Sequence, residues 1–230
     1  VADAASSNSG GTAKEIWRSG NRPEDAPPRM AGENLLQWAA DDRLVFSSEM
    51  DGWMRLYSIA AGGGEVKALT PTGCEWETMT FTPDKRTVVY SSNCNDIDRR
   101  HLWRTDIVGG APARLLENVG SGIEWSPVIT GKGSKLGFLQ SSDAIPGQLA
   151  VMNLADSNLN AREAMRQLLN GKLLSYPAGD WALKNFPGVQ LVAPKQVIFK
   201  AADGQEIHGQ LFLPKDAKPS DKLQIGRAHV

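Results

Sequence analysis

Ionisable side chains gather where polar loops interrupt apolar runs. One group is Glu49, Asp51 and Arg55. Another is Asp96, Asp98, Arg99, Arg100 and His101, and Glu75 and Glu77 lie on the turn before it. A carboxylate pair can hold an ammonium group, and a guanidinium can grip a carbonyl or carboxylate. The same charges can equally be solvated residues paired within their own turns. Asp96, Asp98 and His101 could suggest a metal, but Asp-x-Asp in a loop is a poor cation site without further ligands. No metal and no cofactor is expected.

The elements that must position these groups come from a repeat. Trp38, Phe81 and Trp125 each close a short apolar segment and recur every 43–44 residues. After each comes a polar turn, then an apolar run: Leu44-Val45-Phe46, Val88-Val89-Tyr90 and Leu136-Gly137-Phe138. A Ser-Ser pair follows in every unit (47–48, 91–92, 141–142), then a polar loop, then a second run starting at Leu56, Leu102 and Leu149. A period in the low forties with about four short strands per unit is the mark of β-propeller blades. Such a sheet cannot bury both faces alone, so blades must stack. Seven tryptophans suit that packing.

Lys14-Glu15-Ile16-Trp17, preceded by the Gly-rich 5–12 stretch, matches the second half of a blade, so the chain is expected to start inside one. Arg18–Asn34 reads as a Pro- and Gly-rich connector. Turns are expected at Ala40–Arg43, Ala61–Gly64, Thr82–Lys85 (type I, Pro83 second) and Gly131–Lys135. Asp51-Gly52-Trp53 reads as a turn with Trp53 packed between blades. The last strand of the third blade is expected at Arg166–Leu169, although Ala161, Ala164, Met165, Leu168 and Leu169 also fit helical spacing. Residues 1–174 thus read as an all-β partial propeller of half a blade plus three, and 175–195 as a connector. Residues 196–223 hold a hairpin of another kind, turning at Ala202-Asp203-Gly204. His208 is expected at its surface. Residues 224–230 look like read-through of a sequencing adapter, so His229 is given no weight.

Cys74 falls in an interblade turn and Cys94 in the loop between strands two and three of the blade that turn enters. Both loops emerge on one face, so a bridge between them is possible, as are two free thiols. A bridge would favour a periplasmic or secreted location over the cytoplasm. The formal net charge of −1 gives no field for nucleic acid or an anionic membrane. No apolar run is long enough for a membrane span.

SSEMDGWMRLY (47–57) is similar to the Ser-Glu-x-Asp-Gly-Trp-x-x-Leu-Tyr blade motif of bacterial prolyl oligopeptidase-family enzymes of the dipeptidyl peptidase IV-like kind. VIFKAADGQEIHGQLFLP (197–214) resembles the hairpin that opens their α/β-hydrolase peptidase domain. The resemblance implies a fragment of a serine peptidase whose propeller admits short peptides to a catalytic domain. It also implies that the loop face carrying Glu75, Glu77, Arg99 and Arg100 looks toward the substrate cavity, which makes these four the substrate-binding candidates. Glu75-Trp76-Glu77 departs from the family's Glu-Glu pair on a short helix, so that pair's role is not carried over. The nucleophile elbow Gly-x-Ser-x-Gly is missing, no Ser/Asp/His set can be assigned, and the chain as given is expected to be inactive as a hydrolase. The alternative is a TolB-like propeller without enzymatic activity, serving as an interaction module.

Overall fold

The computed structural model describes residues 14–20, 36–116, 122–143, 146–154, 174–176, 191–218 and 220–222. Three four-stranded antiparallel sheets follow one another along the chain. The first holds β1 (Leu36–Ala39), β2 (Arg43–Ser48), β3 (Arg55–Ala60) and β4 (Lys67–Ala68). The second holds β5 (Trp76–Phe81), β6 (Thr87–Ser92), β7 (His101–Asp106) and β8 (Ala113–Arg114). The third holds β9 (Ile123–Ile129), β10 (Lys135–Ser141), β11 (Gln148–Asn153) and β12 (Leu174–Tyr176). A separate hairpin pairs β13 (Lys195–Lys200) with β14 (Glu206–Leu211). The strands of each sheet pair in sequence order, as the blades of a partial β-propeller do.

The apolar runs of the central strands explain the stacking. In β2, Leu44 and Phe46 point to one face with Tyr57 and Ile59 of β3, against Ile16 and Trp17. Val45 points to the other face and joins Leu56, Trp76, Val88, Tyr90 and Trp103 in a core between the first and second blades. In β6 the alternation repeats. Val88 and Tyr90 face the first blade, while Val89 meets Leu136, Phe138, Ala150 and Met152 of the third. A strand with period-two side chains and both faces apolar is buried on both sides. Burial also pushes the Tyr90 phenol upward from its usual range, so it stays neutral in the core.

Polar contacts fasten the same seams. Ala40 N donates to Lys85 O (3.1 Å) and Trp76 N to Met54 O (3.2 Å). Ser58 Oγ donates to Ile107 O. Arg86 makes two bonds to Asp41, at 2.6 and 2.7 Å. Its guanidinium holds the Asp41 carboxyl below the usual carboxylate range. At the next seam, Ser126 N donates to Thr78 Oγ1 (3.1 Å).

Turn chemistry follows residue type. Asp41 and Asp42 both take positive φ (54° and 49°), giving the two-residue turn whose twist matches the strands. At Thr82-Pro83-Asp84-Lys85, Lys85 N bonds Thr82 O (2.8 Å) and Lys85 takes the left-handed position, φ 54°. Gly133 holds the equivalent position in the third blade, φ 69°, and a Cβ there would lie 3.0 Å from the Pro83 ring.

Several expectations are corrected. The fourth place in the third sheet is filled by Leu174–Tyr176, paired with Val151–Leu149, rather than by Arg166–Leu169. The blade therefore runs past residue 174. Residues 155–173, with the ambiguous helical spacing, lie outside the described residues, as do 1–13, the 177–190 part of the connector and 224–230. Lys14–Trp17 forms no strand, but Trp17 packs on Phe46 with ring centroids 4.7 Å apart. The repeat's own aromatics are not fully buried: Trp38 is 47% exposed, Phe81 packs partly buried against the first core, and among the described residues the buried tryptophans are Trp76 and Trp103. Trp53 is half-buried and joins none of the three cores.

Gly133→Ala should cost about 1–2 kcal/mol, from left-handed strain plus the Pro83 contact, whereas Gly131→Ala, with open space, should cost far less. Urea unfolding midpoints of the two variants test this. Leu136→Ala, at a fully buried site between the second and third blades, should cost about 2–5 kcal/mol in the same assay.

Candidate functional site

The loop between β6 and β7, residues 93–100, concentrates the polar chemistry. Its start is set by the second serine of the Ser-Ser pair: Ser92 Oγ accepts from Cys94 N (3.2 Å), as Ser48 Oγ accepts from Met50 N (3.3 Å) one blade earlier. This serine hydroxyl bond to the amide two residues on starts the turn. Ser91, the first of the pair, bonds Thr78 Oγ1 (2.8 Å) at the bulge in β5.

Three straps tie the loop to the turn before β5. A disulfide joins Cys94 to Cys74, with Cα atoms 4.9 Å apart. Asn93 Oδ1 accepts from Glu75 N (2.8 Å), and Asn93 N donates to Glu75 O (3.3 Å). Within the loop, Arg99 Nη1 donates to Asp96 Oδ2 (3.1 Å). That same oxygen lies 3.3 Å from His101 Nε2. Arg100 is ion-paired with Glu77 of β5. Asp98 accepts from Gln196 of β13 and lies 3.8 Å from His208 Nδ1 of β14. The rim loop is thereby joined to the hairpin.

Between them lies a cleft of ≈ 540 Å³. Asp98, Arg99 and Arg100 line one side with Ser141–Asp143, and Leu191–Pro194, Gln210 and Phe212 line the other. Of the four substrate-binding candidates, Arg99 and Arg100 border this cleft. Glu77 reaches it only through Arg100, and Glu75 is exposed and does not line it. The first blade's charges do not converge here. Arg55 is ion-paired with Asp51, donates to Thr70 O and sits 5.3 Å over the Tyr57 ring. Its role is local to its own blade. His208 is exposed, as expected, and its Nε2 lies 3.1 Å from Glu206 Oε1.

The residue that sequence reading missed is Glu124. It is buried in β9, and its Oε2 lies 2.9 Å from His101 Nδ1. A carboxylate one position before the repeat aromatic, in a mostly apolar strand, was a signal: such a group, once buried, must find a partner. No three His, Cys, Asp or Glu among the described residues form a metal-holding group. Among the same residues, neither His101 nor His208 has a serine hydroxyl as partner. The site can bind and orient. Each guanidinium keeps N–H donors beyond those used in its ion pair, and these can meet carbonyl oxygens.

The family model for the "Dipeptidyl peptidase IV (DPP IV) N-terminal region" matches residues 27–136. This stretch is similar to that N-terminal region. Among solved structures, dipeptidyl peptidase 4 of Porphyromonas gingivalis is 20% identical, with TM-score 0.54, over 81% of this chain and 24% of that one. Puromycin hydrolase is 16% identical, with TM-score 0.54, over 82% and 27%. TolB of Acinetobacter baumannii is 18% identical, with TM-score 0.41, over 53% and 30%. The chain spans about a quarter to under half of the length of such structures. No curated protein matches. At these identities the first two likenesses speak for the fold.

Cys94→Ser, or full reduction, should lower unfolding stability by about 2–4 kcal/mol. Denaturation with and without a dithiol reductant, with thiols counted by alkylation and mass measurement, checks this.

Proposed function

We propose that this chain is the propeller side of a serine peptidase acting on short peptides. One observation carries the reading. The β13–β14 hairpin, foreign to the repeat, docks through Gln196 and His208 on Asp98 of the rim loop and closes a cleft with it. A hairpin after the last blade is what a propeller needs when it hands its cleft to a following domain. In this reading β13–β14 opens that domain, and the serine, aspartate and histidine of an acyl-enzyme mechanism lie in sequence after residue 223. Arg99 and Arg100, pre-set by Asp96 and Glu77, would donate to the carbonyls or terminal carboxylate of the peptide. The blades would restrict access to substrates slim enough for the cleft. The Cys74–Cys94 bridge supports a periplasmic or secreted setting.

The test is to read the coding sequence beyond codon 223 and to assay the protein of that continued frame on peptide anilides. A Gly-x-Ser-x-Gly elbow followed by Asp and His, with hydrolysis abolished by changing the elbow serine to Ala, is the expected result. Arg100→Ala should raise KM roughly tenfold with a smaller effect on kcat, since it removes binding common to substrate and transition state. A stop codon or further blades would overturn the proposal and leave a propeller serving as an interaction module.

A further inference from the structure

His101 stands where the second blade, the third blade and the rim loop meet. Its side chain is 1% exposed, with Nδ1 2.9 Å from Glu124 Oε2 and Nε2 3.3 Å from Asp96 Oδ2. Glu124 is equally covered, at 2%. A neutral imidazole has one N–H and one lone pair. Two carboxylates facing its two nitrogens therefore need two protons, one in each gap. With a single proton, a ring lone pair is left against a carboxylate oxygen, and that contact repels.

We propose that Asp96–His101–Glu124 is a proton-operated latch that fastens the rim loop to the third blade. With two protons both hydrogen bonds form, and the loop is pinned through β7 to β9. On losing one proton the latch opens on the Asp96 side. Glu124, fully buried, has no other side-chain partner among the described residues, so it keeps the remaining N–H, while Asp96 retains Arg99. The surrounding charges are accounted for. Arg99 lies on Asp96, Arg100 on Glu77, and Asp98 beside His208. Ser92, opposite His101 in the ladder, turns its hydroxyl to Cys94, which is held as a disulfide. Because Asp98, Arg99 and Arg100 line the cleft, the latch makes that rim firm on the acid side and looser on the alkaline side. This holds whether or not the chain serves a peptidase.

The experiment is hydrogen exchange at the Asp96 and Arg99 amides, which bond Asn93 O and Asp96 O. It is measured on the whole chain across pH about 5 to 8, where histidine gains and loses its charge. Rates are corrected for intrinsic exchange, and the His101 ring nitrogens are followed by 15N NMR. Protection should fall by roughly tenfold or more as pH rises, in step with loss of one ring proton. Glu124→Gln is the deciding variant. Its amide can donate to Nδ1 while Nε2–H serves Asp96, so a neutral ring satisfies both sides and the pH dependence should vanish. A merely structural contact would instead lower protection equally at every pH. Should Glu124→Gln fail to fold, Asp96→Asn makes the mirror-image substitution, its amide donating to Nε2. Wild-type protection flat across the range, a variant keeping the wild-type slope, or a ring with one N–H at both extremes would overturn the latch.

Discussion

Everything in this molecule depends on a sheet that must be covered on both sides. The central strands β2 and β6 send successive side chains to opposite neighbours, so Val88 and Val89, adjacent in sequence, lie in different cores. A slip of one residue in either ladder would exchange those cores, and this ties register to the stacking of three blades at once. The hydrogen bonds between blades then have little freedom. Arg86 reaches Asp41, and Ser126 reaches Thr78, only in the register that the apolar alternation sets.

The rim loop turns that rigid stack into a site. Within a few residues it carries a covalent strap, two hydrogen bonds from Asn93 to the preceding turn, ion pairs to Glu77 and within itself, and the contact with the hairpin. Its charges are matched to one another before any ligand arrives. A molecule in the cleft meets oriented donors in place of bare ions, which favours directional recognition over simple attraction. His101, at the base of this loop, ties the second blade to Glu124 of the third.

The blades were legible because the repeat reports the two-faced burial directly: each apolar triplet beginning at Leu44, Val88 and Leu136 became the middle of a central strand. Turns were legible too, since Pro83-Asp84 and the Gly131–Gly133 stretch state their own geometry. The last strand of the third blade was not, because Leu174–Tyr176 follows a long intervening stretch that shifts it off the repeat. The site was half legible. Arg99 and Arg100 stood out as charges in a loop, but pairing His101 with Glu124 needs two blades in contact, and a partner 23 residues away leaves no local trace. His208 is exposed as expected, but its neighbour Asp98, in another sheet's loop, could not be foreseen for the same reason.

The outermost strands β4 and β8 are only two residues long, and each contains a cation, Lys67 and Arg114. Their outward backbone groups are too few to template a foreign strand, and a positive charge disfavours the attempt. Along the circumference of these two blades, open-ended β-pairing into fibrils is thus discouraged by brevity and charge together. Any lasting assembly of such molecules is directed to blade faces and loops, where shape decides the partner.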